Sequence, residues 1–534
     1  MKYWIQILIG VFFTNATFSQ YIYSDTTWER WYGVQNYHEF APGFKKDIEH
    51  YDYGYIFHAN NEGYTDLKSL IKKTDINGYF LWERKLDSTI NKSILSVKNY
   101  HDGGVLLCGT YYYSNNGNPW VAKLNACMEV EWCKIFEWHE YSYAIDIDED
   151  QNGDIVVLTY GYGEYIYERV NLIKLSPDGD VLWKEHYASR HDYPHIWNAS
   201  PYKLLINADN SYYLVVEADW PNNNDPGQGS GIRSIFIKVS PDGKEEWILP
   251  FGIYDGLYTR PWTLQSYSND TFMAIGDNYE TVNPVIMFFN SEGEELSFIT
   301  KHIMPETYYS SRLANSVRIN DTSFMSVWRY KYTIEETSWH HGYMIFDTAL
   351  NVIDYMEDDR WRGASSFIKT FNNRFVTISR MKENNSSGKD DIYLNKRNLD
   401  FSYDTVYENW SGNFDTLCEE GVVSGYLPYT CDMIVGVEEV PSTDQFRESQ
   451  EKVSIHIHPN PAKNQVIISL ENTSKFSGIQ MSVYNQTGEE IYHRKLRNDT
   501  QEELLNINSW SSGMYFIVIR SENKIVGSAK LMVE

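Results

Sequence analysis

The sequence predicts an all-β protein: a seven-bladed β-propeller followed by a small C-terminal β-sandwich. Three observations predict it. A polar turn and a short apolar strand recur along most of the 534 residues, at steps between 50 and 60. Hairpin-forming turns sit at one fixed place inside the early units. Aromatic residues are 16% of the chain, with 43 Tyr and 17 Trp, which suits packed strands, and no helical periodicity competes.

The unit is seen by aligning Asp52-Tyr53-Gly54-Tyr55, Asp102-Gly103-Gly104-Val105, Asn152-Gly153-Asp154-Ile155 and Asp209-Asn210-Ser211-Tyr212 with later equivalents. With Tyr55, Val105, Ile155, Tyr212, Phe272, Phe324 and Phe375 as the register, seven units follow. Units of about 50 residues rich in hairpins match four-stranded propeller blades. A second landmark marks the first four units. Lys73, Lys123, Lys174 and Lys238 each stand nine residues before Trp82, Trp132, Trp183 and Trp247. Between them lie turns such as Ser176-Pro177-Asp178-Gly179, in which Pro presets φ and Gly takes the left-handed position. Counting outward from that hairpin places Trp183 opposite Ile173, with Lys174 on the other face. Repetition in every early unit makes the Trp and Lys blade-to-blade packing with a solvated ammonium, since a ligand site is local.

At the N-terminus, Lys2 is the only charge before Asp25, and Ile5–Phe13 is almost wholly apolar. Residues 1–19 therefore read as a secretory signal peptide, too short to span a bilayer. No later segment reads as membrane-spanning. Trp28-Glu29-Arg30-Trp31-Tyr32-Gly33 resembles the strands that follow later hairpins, such as Trp82-Glu83-Arg84. It is expected to complete the last blade, because an unclosed ring leaves a bare edge strand.

Candidate chemistry is sparse. The formal charge of −27 makes the chain a poor ligand for phosphate backbones or anionic lipid. Asp148, Asp150 and Asn152, followed by Gly153, imitate the start of a calcium loop. The twelfth position is Thr159, which excludes a standard EF-hand and leaves a looser Ca2+ turn as the candidate. Of five cysteines, Cys418 and Cys431 are expected to bridge and pin the exit strand. Cys127 and Cys133 stand too far apart along a hairpin to pair with each other, and Cys108 reads as a small core residue. Trp339-His340-His341 is a candidate metal pair. Tyr308-Tyr309-Ser310-Ser311-Arg312 and Tyr111-Tyr112-Tyr113 are candidate sugar-stacking segments. Ser176–Trp183 resembles the Asp box of sialidases, itself a structural element, with Gly displaced and Leu for Thr. No nucleophile elbow, zincin helix or phosphate loop is present.

The C-terminal segment is the most specific part. An acidic, polar linker is expected over 436–453, separating the propeller (20–435) from a terminal domain (454–534). That domain carries Pro459-Asn460-Pro461-Ala462, the Gly488 turn, Gly513-Met514-Tyr515-Phe516 and the ending Lys530-Leu531-Met532-Val533-Glu534. With these in order, it resembles the type A C-terminal sorting domain of the type IX (Por) secretion system. Pro459, Asn460, Pro461, Gly513, Tyr515 and Lys530 carry the likeness. Asn464-Gln465-Val466 departs from it, since the family often has an acidic or small residue there. The resemblance implies export across both membranes of a Gram-negative bacterium, handling by the type IX machinery, and release or attachment at the outer cell surface. The upstream half looks like the repeat regions that precede such domains, and that likeness brings no known active site. The expected function is a secreted, non-enzymatic module that binds a glycan or protein. The alternative is a glycan-active hydrolase or lyase with carboxylates at the ring axis.

Overall fold

The described residues fold as β-strands, paired antiparallel except at a few short parallel contacts. The computed structural model describes residues 19–23, 27–34, 38–40, 47–62, 67–86, 91–113, 116–136, 141–162, 170–188, 197–221, 230–251, 259–268, 270–278, 283–303, 310–333, 335–336, 339–358, 362–370, 373–382, 390–405, 415–427, 431–434, 454–471, 473, 478–485, 490–497, 502–521 and 524–533. Residues 1–18 of the expected signal peptide and the expected linker 436–453 lie outside these. Two units separate, residues 1–438 and 439–534.

The larger unit is a succession of four-strand meanders. The first runs Ile48–Tyr51, Gly54–Glu62, Leu67–Asp75, Phe80–Leu86 and the second Asn91–Asn99, Val105–Tyr113, Asn116–Leu124, Val130–Phe136. The third is Tyr141–Glu149, Ile155–Tyr162, Val170–Leu175, Val181–Tyr187, and the fourth Trp197–Ile206, Tyr212–Pro221, Ser230–Val239, Glu245–Pro250. Thr259–Ser268, Thr271–Asn278, Pro284–Asn290, Glu295–Thr300 make the fifth, and Ser310–Arg318, Ser323–Lys331, His340–Asp347, Val352–Glu357 the sixth. The last has only three strands of its own, Arg362–Lys369, Phe375–Lys382 and Asp390–Arg397. Its fourth is the N-terminal Glu29–Val34, which pairs antiparallel with Asp390–Arg397, and Ser19–Tyr23 adds outside it.

Middle strands read as unbroken apolar runs because both faces are covered. Thr271–Asn278 and Pro284–Asn290 are buried almost end to end. Outer strands are more exposed, as in Val352–Glu357. Each apolar cluster bridges two neighbouring meanders. Val156, Leu172 and Leu214 tie the third to the fourth, and Phe236, Phe272 and Phe289 the fourth to the fifth. Another joins Tyr55 and Leu70 of the first meander to Trp28 and Tyr32, and to Ile378 and Leu394 of the last.

The recurring tryptophans sit in these seams. Gly179, at φ +82°, would drive a Cβ to 2.8 Å from the Trp132 ring of the preceding meander, so the close approach needs glycine. Trp132 Nε1 donates to Pro177 O at 2.9 Å and Trp247 Nε1 to Ser291 O at 3.0 Å, both carbonyls in the next turn. Trp82 and Trp183 occupy the same seams, the first buried at 2% exposure in the core between the first two meanders. The lysine heads, expected in solvent, are instead largely buried and ion-paired: Lys174 reaches Asp150 at 2.8 Å and Asp154 at 3.0 Å, and Lys73 lies between Asp52 and Asp415.

Two further expectations are corrected. Trp183 faces Lys174, not Ile173, because a bulge after Lys174 shifts the register by one; Leu175 already pairs with Val181. Cys418 and Cys431 do not bridge each other. Cys418 bonds Cys127 and Cys431 bonds Cys133. The cause is the route of the exit segment. Gly425–Leu427 lies parallel to Phe80–Leu86 and Asp432–Ile434 parallel to Val130–Phe136, so each cysteine meets the outer strand or turn of the second meander. Cys108 is buried in the core.

In the smaller unit Ser454–His458, Gln465–Glu471 and Glu502–Asn506 form one sheet, and Glu490–Lys495, Gln480–Tyr484, Gly513–Ser521 and Lys524–Val533 another. Val466, Ile468, Met481, Val483, Ile517 and Leu531 from both sheets share a core.

Candidate functional site

The first strand of one meander after another carries an extra residue. Ladder registers skip Leu95, Ile145, Tyr202, Trp262 and Asn315, and a wider gap separates Arg362 from Ser366. A bulge re-aims the side chain it inserts. Three of these residues, Tyr202, Trp262 and Asn315, line a cavity of about 170 Å3, together with Glu49, Asp146 and Phe367 among others. Its walls come from the first strands of six meanders. Asn315 takes φ +45°, a conformation asparagine tolerates.

The cavity's carboxylates are engaged. Asp146 accepts Ser96 Oγ at 3.3 Å, Ile147 N at 3.0 Å and Leu204 N at 3.1 Å. Lys98 pairs with Glu49 at 3.9 Å and Asp148 at 3.2 Å. Tyr202 and Trp262 stand edge to face at 6.2 Å. Burial pushes the Tyr202 phenol far up, reinforced by Glu217, to which it donates at 3.3 Å. The wall is thus mixed: aromatic, amide, hydroxyl and paired charge.

Behind it runs a chain of half-buried ion pairs. Arg260 meets Glu217 at 3.3 Å, and Arg312 meets Asp277 at 2.9 Å. Asp277 also accepts Trp262 Nε1 at 3.0 Å. Burial raises both carboxyls above their ordinary range, with the arginines opposing that shift. Arg329, opposite Arg312 across the ladder, is pushed down to about 10 by burial and then by Arg312.

The sequence-predicted residues fall elsewhere. Asp150 accepts its own turn amides, Asn152 N and Asp154 N, and holds Lys174, while Asp148 holds Lys98. The side chain of Asn152 is exposed. No group of three or more His, Cys, Asp or Glu gathers among the described residues. His340 pairs with Glu336 at 3.5 Å, and His341 is buried beside Arg329. Tyr111 belongs to the core and Tyr112 is exposed; Tyr308 and Tyr309 lie outside the described residues. Sequence reasoning missed Tyr202, Trp262 and Asn315. A signal existed for two: Pro201 and Pro261 interrupt strand patterns, and proline inside a ladder marks a bulge.

In the smaller unit, Asn460 Oδ1 accepts Met532 N at 2.8 Å, which ties the Pro459–Pro461 turn to the final strand. Tyr515 donates to Ser511 O at 2.7 Å, next to Gly513, and Lys530 pairs with Phe516 in the ladder. Residues 456–534 match the family described as a secretion system C-terminal sorting domain. The chain carries a type IX export address. It is a secreted or outer-surface protein handled by that machinery.

A curated relative, ulvan lyase NLR42 of Nonlabens ulvanivorans, is 30% identical over 92 residues, 17% of this chain and 16% of that protein. The chain thus spans about a sixth of that relative's length. Among solved structures, polysaccharide lyase Uly1 aligns over 67% of this chain and 91% of its own, at 10% identity and TM-score 0.39. An oligogalacturonate lyase in complex with manganese aligns over 71% and 95%, at 7% identity and TM-score 0.40. Likeness this distant transfers no activity.

Proposed function

We propose that residues 20–435 close as a seven-bladed β-propeller which binds a glycan or protein ligand at its axis, outside the cell, without cleaving it. Seven meanders, apolar seams between neighbours and a last sheet completed by the N-terminal strand support the ring. The 454–534 domain, as a two-sheet sandwich behind a linker at 436–453, serves export. Residues 1–19 serve as the signal peptide, with its small residues as the cleavage site.

One observation carries the choice of binder over enzyme: the axial carboxylates Asp146 and Glu49 are already paired, and the rest of the wall is mixed. A hydrolase or lyase needs a base or acid aimed into open space. The partial likeness to an ulvan lyase supports the alternative, a glycan-active hydrolase or lyase with axial carboxylates. A glycan array combined with a depolymerisation screen separates the two. Retention of an intact glycan, weakened by Asn315→Gly, is the expected result. That substitution keeps the backbone conformation and deletes the amide. Shortening of any glycan by the wild type overturns the non-enzymatic reading.

A further inference from the structure

Outside the cavity wall, three cations surround one indole. Arg312 Cζ lies 4.5 Å from the Trp339 ring centre, Lys331 Nζ 5.0 Å and Arg329 Cζ 5.6 Å. Arg312 and Arg329 are direct cross-strand partners. Like charges placed so cost a sheet stability; Asp277 offsets part of that cost through Arg312 at 2.9 Å, Lys331 Nζ donates to Glu336 O at 2.7 Å, and a second anion brought to the three cations offsets more. Trp339, Arg329 and Lys331 are partly exposed, and so is His340, which stacks on Tyr330 at 5.3 Å. Tyr332, 5.1 Å from His340, extends the aromatic face into solvent. The group is continuous with the cavity, since Trp262 and Arg312 both bind Asp277.

Resting on the axial-binding reading and giving it a ligand class, we infer that the Arg312–Arg329–Lys331–Trp339 shelf holds an acidic sugar residue of a glycan that also enters the cavity. The oxyanion, a uronate carboxylate or a sulfate ester, meets the guanidinium forks, which match planar or tetrahedral oxygens in bidentate fashion. The sugar ring stacks on the indole. The chain as a whole carries a formal −27 and repels long polyanions. Short oligosaccharides therefore bind better than polymers at low salt, a difference that added salt narrows.

The test is calorimetry on the mature full chain with three probes: an oligogalacturonate, a sulfated galactan oligosaccharide and the neutral galactan oligosaccharide. At least one charged probe is expected to bind tenfold tighter than the neutral one, and which one does so names the oxyanion. Trp339→Ala and Lys331→Gln each weaken the binding of that charged probe at least tenfold, and Trp339→Ala, which also removes the stacking face, weakens the neutral probe as well. Lys331→Gln keeps the test sound if loss of Trp339 disturbs folding, which a melting curve reports. Equal binding of neutral and charged probes overturns the inference. So does charged-probe binding that Asn315→Gly weakens and both shelf variants leave alone, an outcome under which the axial reading stands. No binding of any glycan removes the inference and the glycan form of that reading together.

Discussion

Lys396 shows how much a single buried ammonium can govern. It is 0% exposed, 3.2 Å from Asp404, and burial pulls it from 10.5 down to about 8 despite that partner. Between those two values the unfolded chain holds the proton more tightly than the folded one. Unfolding free energy therefore rises with pH from 8 to 10.5, and below pH 8 the charged lysine costs stability. A shift of this size corresponds to about 3 kcal/mol. Denaturation of wild type and Lys396→Met across that window should show the wild type gaining on the variant as pH rises; a constant difference would contradict the assignment. Nothing in the sequence marked this lysine, since its cost comes from the sheet folded around it. The Ser176-Pro177-Asp178-Gly179 turn was legible, because φ +82° at Gly179 is a local demand. The equivalent turn of the second meander was not, because Met128 holds φ +57° where glycine was the expected signal.

At the level of strands, the N-terminal segment makes the firmest prediction. Trp28 Nε1 donates to Ile76 O at 2.9 Å, Arg30 Nε to Asn77 O at 3.0 Å, and both side chains are fully buried. Starting the chain after Val34 removes these anchors and bares the edge of Asp390–Arg397. The loss should exceed the ~3–5 kcal/mol of one buried tryptophan and bring self-association. Calorimetry and sedimentation decide it, and a truncated monomer with the wild-type melting temperature would refute it. The pairing was readable because Trp28–Gly33 copies the pattern of strands after later hairpins. The cysteine partners were not, since they follow from where residues 415–434 travel, and no local pattern encodes a path over distant strands. The bulges that build the cavity sit between these cases. Pro201 and Pro261 announce two, while Asn315 carries no such mark.

For the whole molecule, export and recognition are separate tasks of separate segments. Deleting 456–534 should leave the remaining chain folded and held in the periplasm; fractionation measures this, and undiminished appearance outside the cell would count against the export address. The exit strap has a further consequence. The bonds from Cys127 to Cys418 and from Cys133 to Cys431 span 291 and 298 residues. A protease that nicks any loop between positions 133 and 418 therefore yields two pieces still covalently one, a particle that survives digestion until a reductant parts it.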